Sequence, residues 1–218
     1  MMRIENKQRI EEYGEVFTSE SEVNAMLDLV YDETQRIDSR FFEPACGNGN
    51  FLIKILERKL DVVSRKYKSS QIEFERYAFQ AVASLYGVDI LQDNVEECRE
   101  RLLNYSSEGY NEFFKKTAKE QFLPTIKFVL SRNVLWGDAL TLKEPGSDNP
   151  LIFSEWSFIQ GSLVQRADYT LFDLVAYQPF EKGTLFSDFG DEVIIPDPIR
   201  TFKAVHYLEI SNGAPEQL

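Results

Sequence analysis

Arg40-Phe41-Phe42-Glu43-Pro44-Ala45-Cys46-Gly47-Asn48-Gly49-Asn50-Phe51-Leu52 reads as a short apolar strand running into a glycine loop that opens a helix. Gly47 and Gly49 let the backbone turn sharply and approach a ligand closely. The helix start beyond them offers unpaired N–H groups and a partial positive charge to an anionic group. A dinucleotide fingerprint needs a third glycine where Leu52 stands, so a pyrophosphate fits this loop poorly and a smaller cofactor with one carboxylate fits it better.

On the N-terminal side of the loop, Phe17-Thr18-Ser19-Glu20-Ser21-Glu22 reads as a helix start. Ser19 and Glu22 stand at capping-box spacing, and Val23, Met26, Leu27 and Val30 follow along one helical face. Residues 1–13 are polar and are expected to be flexible. On the C-terminal side, Phe51, Leu52, Ile55, Leu56, Leu60 and Val63 form an apolar stripe, so strand, glycine turn and helix make half a βαβ unit. The basic stretch 64–70 reads as a loop and 72–85 as a second helix.

Tyr86-Gly87-Val88-Asp89-Ile90 then has the form of a second parallel strand with an acid at its C-terminal end, on the edge shared with the glycine loop. A carboxylate placed there accepts both hydroxyls of a ribose, or else caps the next helical segment (Val95, Cys98, Leu102, Leu103), a task that Asp93 is also positioned to perform. Residues 104–120 read as a loop followed by a short surface helix, and 134–140, Val-Leu-Trp-Gly-Asp-Ala-Leu, as a third strand ending in an acidic turn. There Asp138, next to the small Ala139, suits the amino edge of a purine, with Leu140 or Trp136 near the ring face. Residues 144–150 are a turn cluster.

Composition narrows the function classes. A chain of 218 residues with 43% hydrophobic content supports one sizeable core, and a single domain over 1–218 is expected. The net charge of −12 opposes strong non-specific binding to phosphate backbones, so DNA is expected to bind weakly to this chain alone. With Cys46 and Cys98 the only cysteines and His206 the only histidine, zinc sites and Ser-His or Cys-His relays lack parts, and no metal is expected. No apolar run has the length of a membrane span and residues 1–12 lack the apolar stretch of a signal peptide, so no membrane association and a cytoplasmic location are expected.

Three stretches together, Glu43-Pro44-Ala45-Cys46-Gly47-Asn48-Gly49-Asn50-Phe51-Leu52, Gly87-Val88-Asp89 and Gly137-Asp138-Ala139-Leu140, resemble the cofactor motifs of class I S-adenosylmethionine-dependent methyltransferases. The nearest likeness is to the N6-adenine DNA methyltransferases of restriction-modification systems. It spans roughly residues 14–140, with the glycine loop its most specific part. In that family the helix-entry motif, here Gly14-Glu15-Val16-Phe17-Thr18-Ser19, also precedes the loop, and Ser19 holds the place of the family's usual proline. The resemblance implies an α/β, Rossmann-like class I methyltransferase fold, with a mostly parallel twisted sheet and helices on both faces. It implies S-adenosyl-L-methionine as cofactor: Thr18 at its methionine end, Glu43 on the amino group, the backbone of Ala45, Cys46, Gly47, Asn48 and Gly49 on the carboxylate side, Asp89 on the ribose and Asp138 on the adenine amino group. Pro44, Phe51, Ile90 and Ala139 complete the implied contacts.

The family's catalytic motif, Asn or Asp followed by Pro-Pro and an aromatic, is absent. Its oxygen and carbonyl accept the hydrogens of a poorly nucleophilic amine while its ring stacks on the extruded base. By letters the nearest stretch ends in Ala176-Tyr177-Gln178-Pro179-Phe180, where Tyr177 and Gln178 replace Asn-Pro. By order along the sheet the place is Leu151-Ile152-Phe153-Ser154-Glu155-Trp156, in which Ser154 or Glu155 is an acceptor and Trp156 a stacking ring, or the residues are the end of a buried strand. The catalytic candidates are therefore Ser154, Glu155, Trp156, Gln178, Pro179 and Phe180. Residues 193–195 suggest a short strand among turns, and 201–210 a last strand or helix. No segment is long and basic enough for a separate target-recognition domain, so target recognition is expected from another chain, such as a specificity or restriction subunit, or from a further part of a larger protein. The expected function is an adenine-N6 DNA methyltransferase or its subunit; the alternative is a catalytically inactive module of the same fold that binds the cofactor or a partner protein.

Overall fold

The computed structural model describes residues 9–11, 18–176 and 197–212. The first helix, α1 (Glu20–Asp28), begins as its sequence dictates. Glu22 Oε2 accepts from the Ser19 N–H at 3.1 Å and the Ser19 hydroxyl accepts from the Glu22 N–H at 3.4 Å, which is the reciprocal capping box. Val23 and Leu27 are buried, but Met26 and Val30 are exposed, so the apolar face is narrower than its spacing predicts. A short α2 (Tyr31–Gln35) leads to β1 (Phe41–Glu43).

Beyond the glycine loop come α3 (Asn50–Tyr67), α4 (Gln71–Ala83), β2 (Leu85–Asp89), α5 (Gln92–Phe114), α6 (Phe122–Asn133) and β3 (Val134–Trp136). Two expectations for this region are corrected. The basic stretch read as a loop from residue 64 is helical as far as Tyr67, because its charges sit on the outer face of α3 while Val62 and Val63 continue the buried one. The stretch from residue 104 read as a loop is the second half of α5, where Ser106 and Tyr110 extend the buried stripe of Cys98 and Leu102. There Tyr110 OH donates to Glu75 at 2.6 Å, and Phe113 and Phe114 close around Phe74 with ring centres 5.8 and 5.2 Å away.

The strands β1, β2 and β3 pair in parallel in that order, with Phe41 opposite Leu85, Glu43 opposite Gly87 and Asp89 opposite Trp136. On one face Leu85 and Val134 join the large core built from α1 and α3 to α6. On the other, Tyr86 and Val88 meet Leu151, Phe153 and Leu171. Leu151 directly precedes, and Phe153 lies in, an antiparallel hairpin of β4 (Ile152–Gln160) and β5 (Leu163–Thr170), and Leu171 starts α7 (Leu171–Ala176). The hairpin continues into β6 (Arg200–Thr201) and β7 (Val205–His206), both paired with β5, and a 3-10 helix (Tyr207–Asn212).

The architecture is therefore mixed α/β. The parallel sheet of three strands stands beside an antiparallel sheet of four, so a mostly parallel sheet is not what the described residues form. Residues 151–156, expected as the next parallel strand, open the hairpin instead, since β5 returns directly after Gly161, whose φ of +55° turns the chain. Strand and helix readings for 201–210 are both partly right, and the strand expected at 193–195 lies outside the described residues.

Two buried charges hold these layers together. Glu75 of α4 accepts from Tyr110 and Gln71 at Oε1, and from Lys119 (2.7 Å) and Tyr207 at Oε2. Burial works to raise its pKa, and the four donors outweigh it and hold the carboxyl low. Lys59 of α3 has no exposed surface; its ammonium donates to the carbonyls of Ile37 and Ser39 and to the Ser84 hydroxyl, and lies 5.0 Å from the Phe41 ring centre. Burial pulls its pKa down to about 7, against the pull of Asp38 and Glu33. Between about pH 7 and its ordinary value near 10.5 the unfolded chain binds this proton and the folded chain releases it, so folding stability from this residue rises with pH across that window. Urea titrations at pH 7 and pH 9.5 check this: the Lys59→Met variant is expected to lack the wild-type gain, and equal pH dependence in the two proteins would contradict it.

Candidate functional site

Parallel pairing in this register sends the C-terminal ends of β1 and β2 to one edge, and with them Glu43 and Asp89. Asp138 joins them through Gly137, whose N–H donates to the Asp89 carbonyl at 2.9 Å. The glycine loop closes over the same edge. The Cys46 N–H donates to the Val88 carbonyl (2.8 Å), the Gly47 N–H to Asp89 Oδ2 (2.8 Å) and the Gly49 N–H back to the Cys46 carbonyl (2.8 Å). Gly47 and Gly49 have φ of +51° and +90°, and a Cβ on Gly49 would lie 2.6 Å from Cys98 Sγ. Both the backbone angle and the packing at Gly49 therefore require glycine. The buried Cys46 thiol is pushed well up by its hydrogen bond with Cys98 and by burial, so it stays protonated and packs as a small apolar group.

Residues that the motif reading passed over hold this loop from outside. Arg101 of α5 donates to the Asn48 carbonyl (2.7 Å) and to Asn50 Oδ1 (3.0 Å), and Asn48 Nδ2 donates to Glu97 (3.0 Å). Asn50 Nδ2 donates to the Thr18 carbonyl at 3.1 Å, which brings Thr18 against the start of α3. Asn50 stood inside the quoted motif, but nothing in the spacing of α5 singles out Arg101 or Glu97.

The three acids differ in how far they are already engaged. Asp89 is buried and accepts from Gly47 N–H, from the Leu91 N–H (2.9 Å) and from Asn94 Nδ2 (3.2 Å), so it anchors the loop and caps the turn into α5 together. Asp93, the alternative cap, accepts from the Asn94 N–H and pairs instead with Arg9. Asp138 Oδ1 accepts from the N–H groups of Leu140 (2.8 Å) and Thr141 (3.3 Å), and the Leu140 bond in particular holds its carboxyl below the ordinary range. Glu43 is half-buried, and among the described residues it has one long contact, the Ala45 N–H at 3.4 Å, and no cation. Burial raises its pKa. Nearby, Asn48 Oδ1 is buried without a hydrogen-bond partner.

Apolar surface flanks the acids. Ile90 is 41% and Leu140 95% exposed, with Ala139 half-buried between the strand and the turn. The Trp136 Nε1–H donates to the Ile90 carbonyl at 2.9 Å and fixes that residue. Pro44 and Ala45 are exposed on the loop, while Phe51 packs on the core behind it. The edge thus combines a carboxylate short of a cation among the described residues, an orphan acceptor and exposed apolar side chains, a donor set of the kind an ammonium-bearing nucleoside would use.

The catalytic candidates on β4 lie elsewhere. Glu155 pairs with Arg40, which precedes β1, and Trp156 Nε1–H donates to Asn133, which precedes β3, at 3.3 Å. Both contacts belong to the N-terminal edge of the parallel sheet, opposite the acids. Ser154 is fully buried and donates to Asp168 Oδ1 at 2.7 Å, and the Trp156 ring meets Phe79 and Phe128 edge-on. Ser154 is thus interior, while Glu155 and Trp156 are partly buried and engaged with the parallel-sheet edge and the helices. Gln178, Pro179 and Phe180 lie outside the described residues. No group of three or more metal-ligating side chains occurs among the described residues.

No protein-family model, curated protein or solved structure matches this chain.

Glu43 gives the site a stability signature. Its raised pKa favours the folded state fully below the ordinary value of 4.5, and that advantage is lost as pH rises through the folded value. Removing the charge in Glu43→Gln is therefore expected to raise Tm at pH 7 by about 1–3 °C and by less at pH 4. Gly49→Ala, with strain and a clash together, is expected to lower stability by about 1–3 kcal/mol. Thermal melts at the two pH values check both, and a lower Tm for Glu43→Gln at pH 7 would contradict the first.

Proposed function

We propose that this chain binds S-adenosyl-L-methionine along the acid edge and serves as a DNA adenine-N6 methyltransferase, or the methyltransferase subunit of a restriction-modification system. The observation that carries this is the convergence of Glu43, the Gly47–Gly49 turn, Asp89 and Asp138 on one strand edge, with Glu43 half-buried and short of a cation. Bound there, the cofactor would supply a methyl group on a positively charged sulfur. Glu43 would take the ligand's ammonium, which offsets the cost of its own burial. The ligand's carboxylate would face the loop N–H groups at the start of α3. Asp89 would accept from the ribose hydroxyls while keeping its bonds to the loop, and Asp138 would use its second oxygen for the adenine amine, with Ile90 and Leu140 against the ring faces. For transfer to a base, Gln178 and the Pro179 carbonyl would accept hydrogens from the target amine and Phe180 would stack on it.

A second reading, a cofactor-binding module without transfer activity, is favoured by the placement of Ser154, Glu155 and Trp156 at the other edge, where each is engaged in the hairpin. That leaves 177–180, which departs from the family tetrad at Tyr177 and Gln178, to carry all of the chemistry.

Calorimetry with S-adenosylmethionine tests the shared claim. Wild type is expected to bind, Glu43→Gln and Asp89→Ala at least tenfold more weakly, and affinity is expected to increase as pH rises through the raised pKa of Glu43, because only the ionised carboxylate attracts the ammonium. Equal weak binding by all three proteins would sink it. Labelled methyl transfer to mixed DNA separates the two readings: incorporation lost in Gln178→Ala and kept in Glu155→Ala supports the enzyme, whereas tight cofactor binding without incorporation leaves the module.

A further inference from the structure

The antiparallel sheet carries a concentration of positive charge that the cofactor reading does not use. Arg166 of β5 takes both oxygens of the buried Asp168, with Nε 2.7 Å from Oδ1 and Nη2 2.8 Å from Oδ2. Its Nε also donates to the Ser154 hydroxyl at 3.0 Å, and its guanidinium lies over the Phe202 ring at 4.2 Å. Arg200 is opposite Asp168 in the β5–β6 pairing, and Lys203 lines one small recess with Arg166, Trp156 and Val205. Arg132, in the last turn of α6, faces the same carboxylate, but too late: its Nη2 is 3.9 Å from Asp168 Oδ2, beyond hydrogen-bond range. Among the described residues its guanidinium makes no hydrogen bond, and its Nε is buried without a partner.

We infer that Arg132, beside the Arg166–Asp168 pair and with Arg200 opposite Asp168 on the neighbouring strand, anchors a phosphate group of a nucleic-acid strand. Two guanidinium groups, of Arg166 and Arg132, face one carboxylate that Arg166 already saturates, so Arg132 keeps donor capacity for a second oxyanion. A guanidinium with unused N–H groups is the donor best matched to phosphate geometry. Arg132's pKa is held down by burial and by Arg166, so an added anion relieves both the desolvation and the repulsion. The cluster stands at the Arg40 edge of the parallel sheet, about 10–13 Å along the strand from Glu43. It would therefore position the backbone of a strand and not present a base for chemistry. In a chain of net charge −12 such a local site is also what a nucleic-acid substrate requires, since the global field repels phosphate.

This inference rests on the proposed nucleic-acid substrate and not on the cofactor, and the test keeps the two apart. Anisotropy of a labelled DNA oligonucleotide, single-stranded and duplex, is measured with the full chain over a salt series, alongside cofactor calorimetry and melting curves for each variant. Arg132→Gln is expected to weaken DNA binding at least fivefold and to lower the salt slope by about 0.7–0.9, the loss of one phosphate contact. Arg132→Lys is expected to recover most of the slope, with cofactor affinity unchanged in both. DNA affinity and slope unchanged in a folded Arg132→Gln protein would overturn the assignment. So would inorganic phosphate binding at Arg132 with no DNA binding by the wild type, or displacement of DNA from Arg132 by an acidic peptide at lower concentration than by unlabelled DNA. Failed cofactor binding with an Arg132-dependent DNA slope would sink the cofactor reading alone.

Discussion

The hydrogen bond from the Gly47 N–H to Asp89 ties the two halves of the acid edge to each other. It links the loop after β1 to the end of β2. Asp89 spends its other oxygen on Leu91 N–H and Asn94, so the same carboxylate also sets where α5 begins. Arg101, one face of α5 further on, then reaches back to the Asn48 carbonyl and completes the circuit. The loop is thus shaped before any ligand arrives, and little ordering cost remains for binding to meet. An acid at a strand end reads equally as ligand-binding group or helix cap; the structure shows the loop-anchoring and capping role, which would preorganise the carboxylate for the proposed ligand.

The hairpin solves a different problem. Three short parallel strands expose two faces, and the helices between them cover only one. Phe153 closes the other by meeting Phe42 and Tyr86 edge-on at 6.1 and 5.5 Å, and Leu151 reaches Gly137, where an added Cβ would lie 2.5 Å from its methyl groups. Ser154, one residue after Phe153, points to the hairpin's own interior and must bury a hydroxyl there, which Asp168 and Arg166 satisfy. The β4 candidates therefore serve in the structure as packing and pairing groups, with Ser154 on Asp168, Glu155 on Arg40 and Trp156 on Asn133.

What was legible in the sequence follows from how local each signal is. The capping box at Ser19, the glycine turn and the acids at the ends of β2 and the third strand are specified by neighbours a few residues away, and the structure forms or places them as read. The long α5 was not legible past residue 104, because Ser106 and Tyr110 look polar until the Leu102 carbonyl, one turn back, accepts from the first and Glu75, 35 residues away, accepts from the second. The hairpin was missed for the same reason. An apolar run of strand length gives no direction, and only the pairing of Phe153 with Tyr169 and of Ser154 with Asp168 makes it antiparallel. Arg101 and Arg132 were invisible because each is one arginine on a charged helix until the fold brings it to a loop or to a saturated carboxylate.

Burying a charge costs free energy unless a partner comes with it, and most buried charges here have one: Glu75 has four donors, Lys59 three acceptors, Asp168 a bidentate arginine. Glu43 and Arg132 are the departures among the described residues: Glu43 is half-buried with one long N–H contact and no cation, and Arg132 reaches only at 3.9 Å an Asp168 that Arg166 already holds bidentately. They cannot answer each other, since one ends β1 and the other precedes β3. On the proposed reading the two are answered separately, the first by the ammonium of a small ligand and the second by a phosphate that Arg132 would hold more closely than it holds Asp168, so a small molecule confined to the acid edge would account for Glu43 alone.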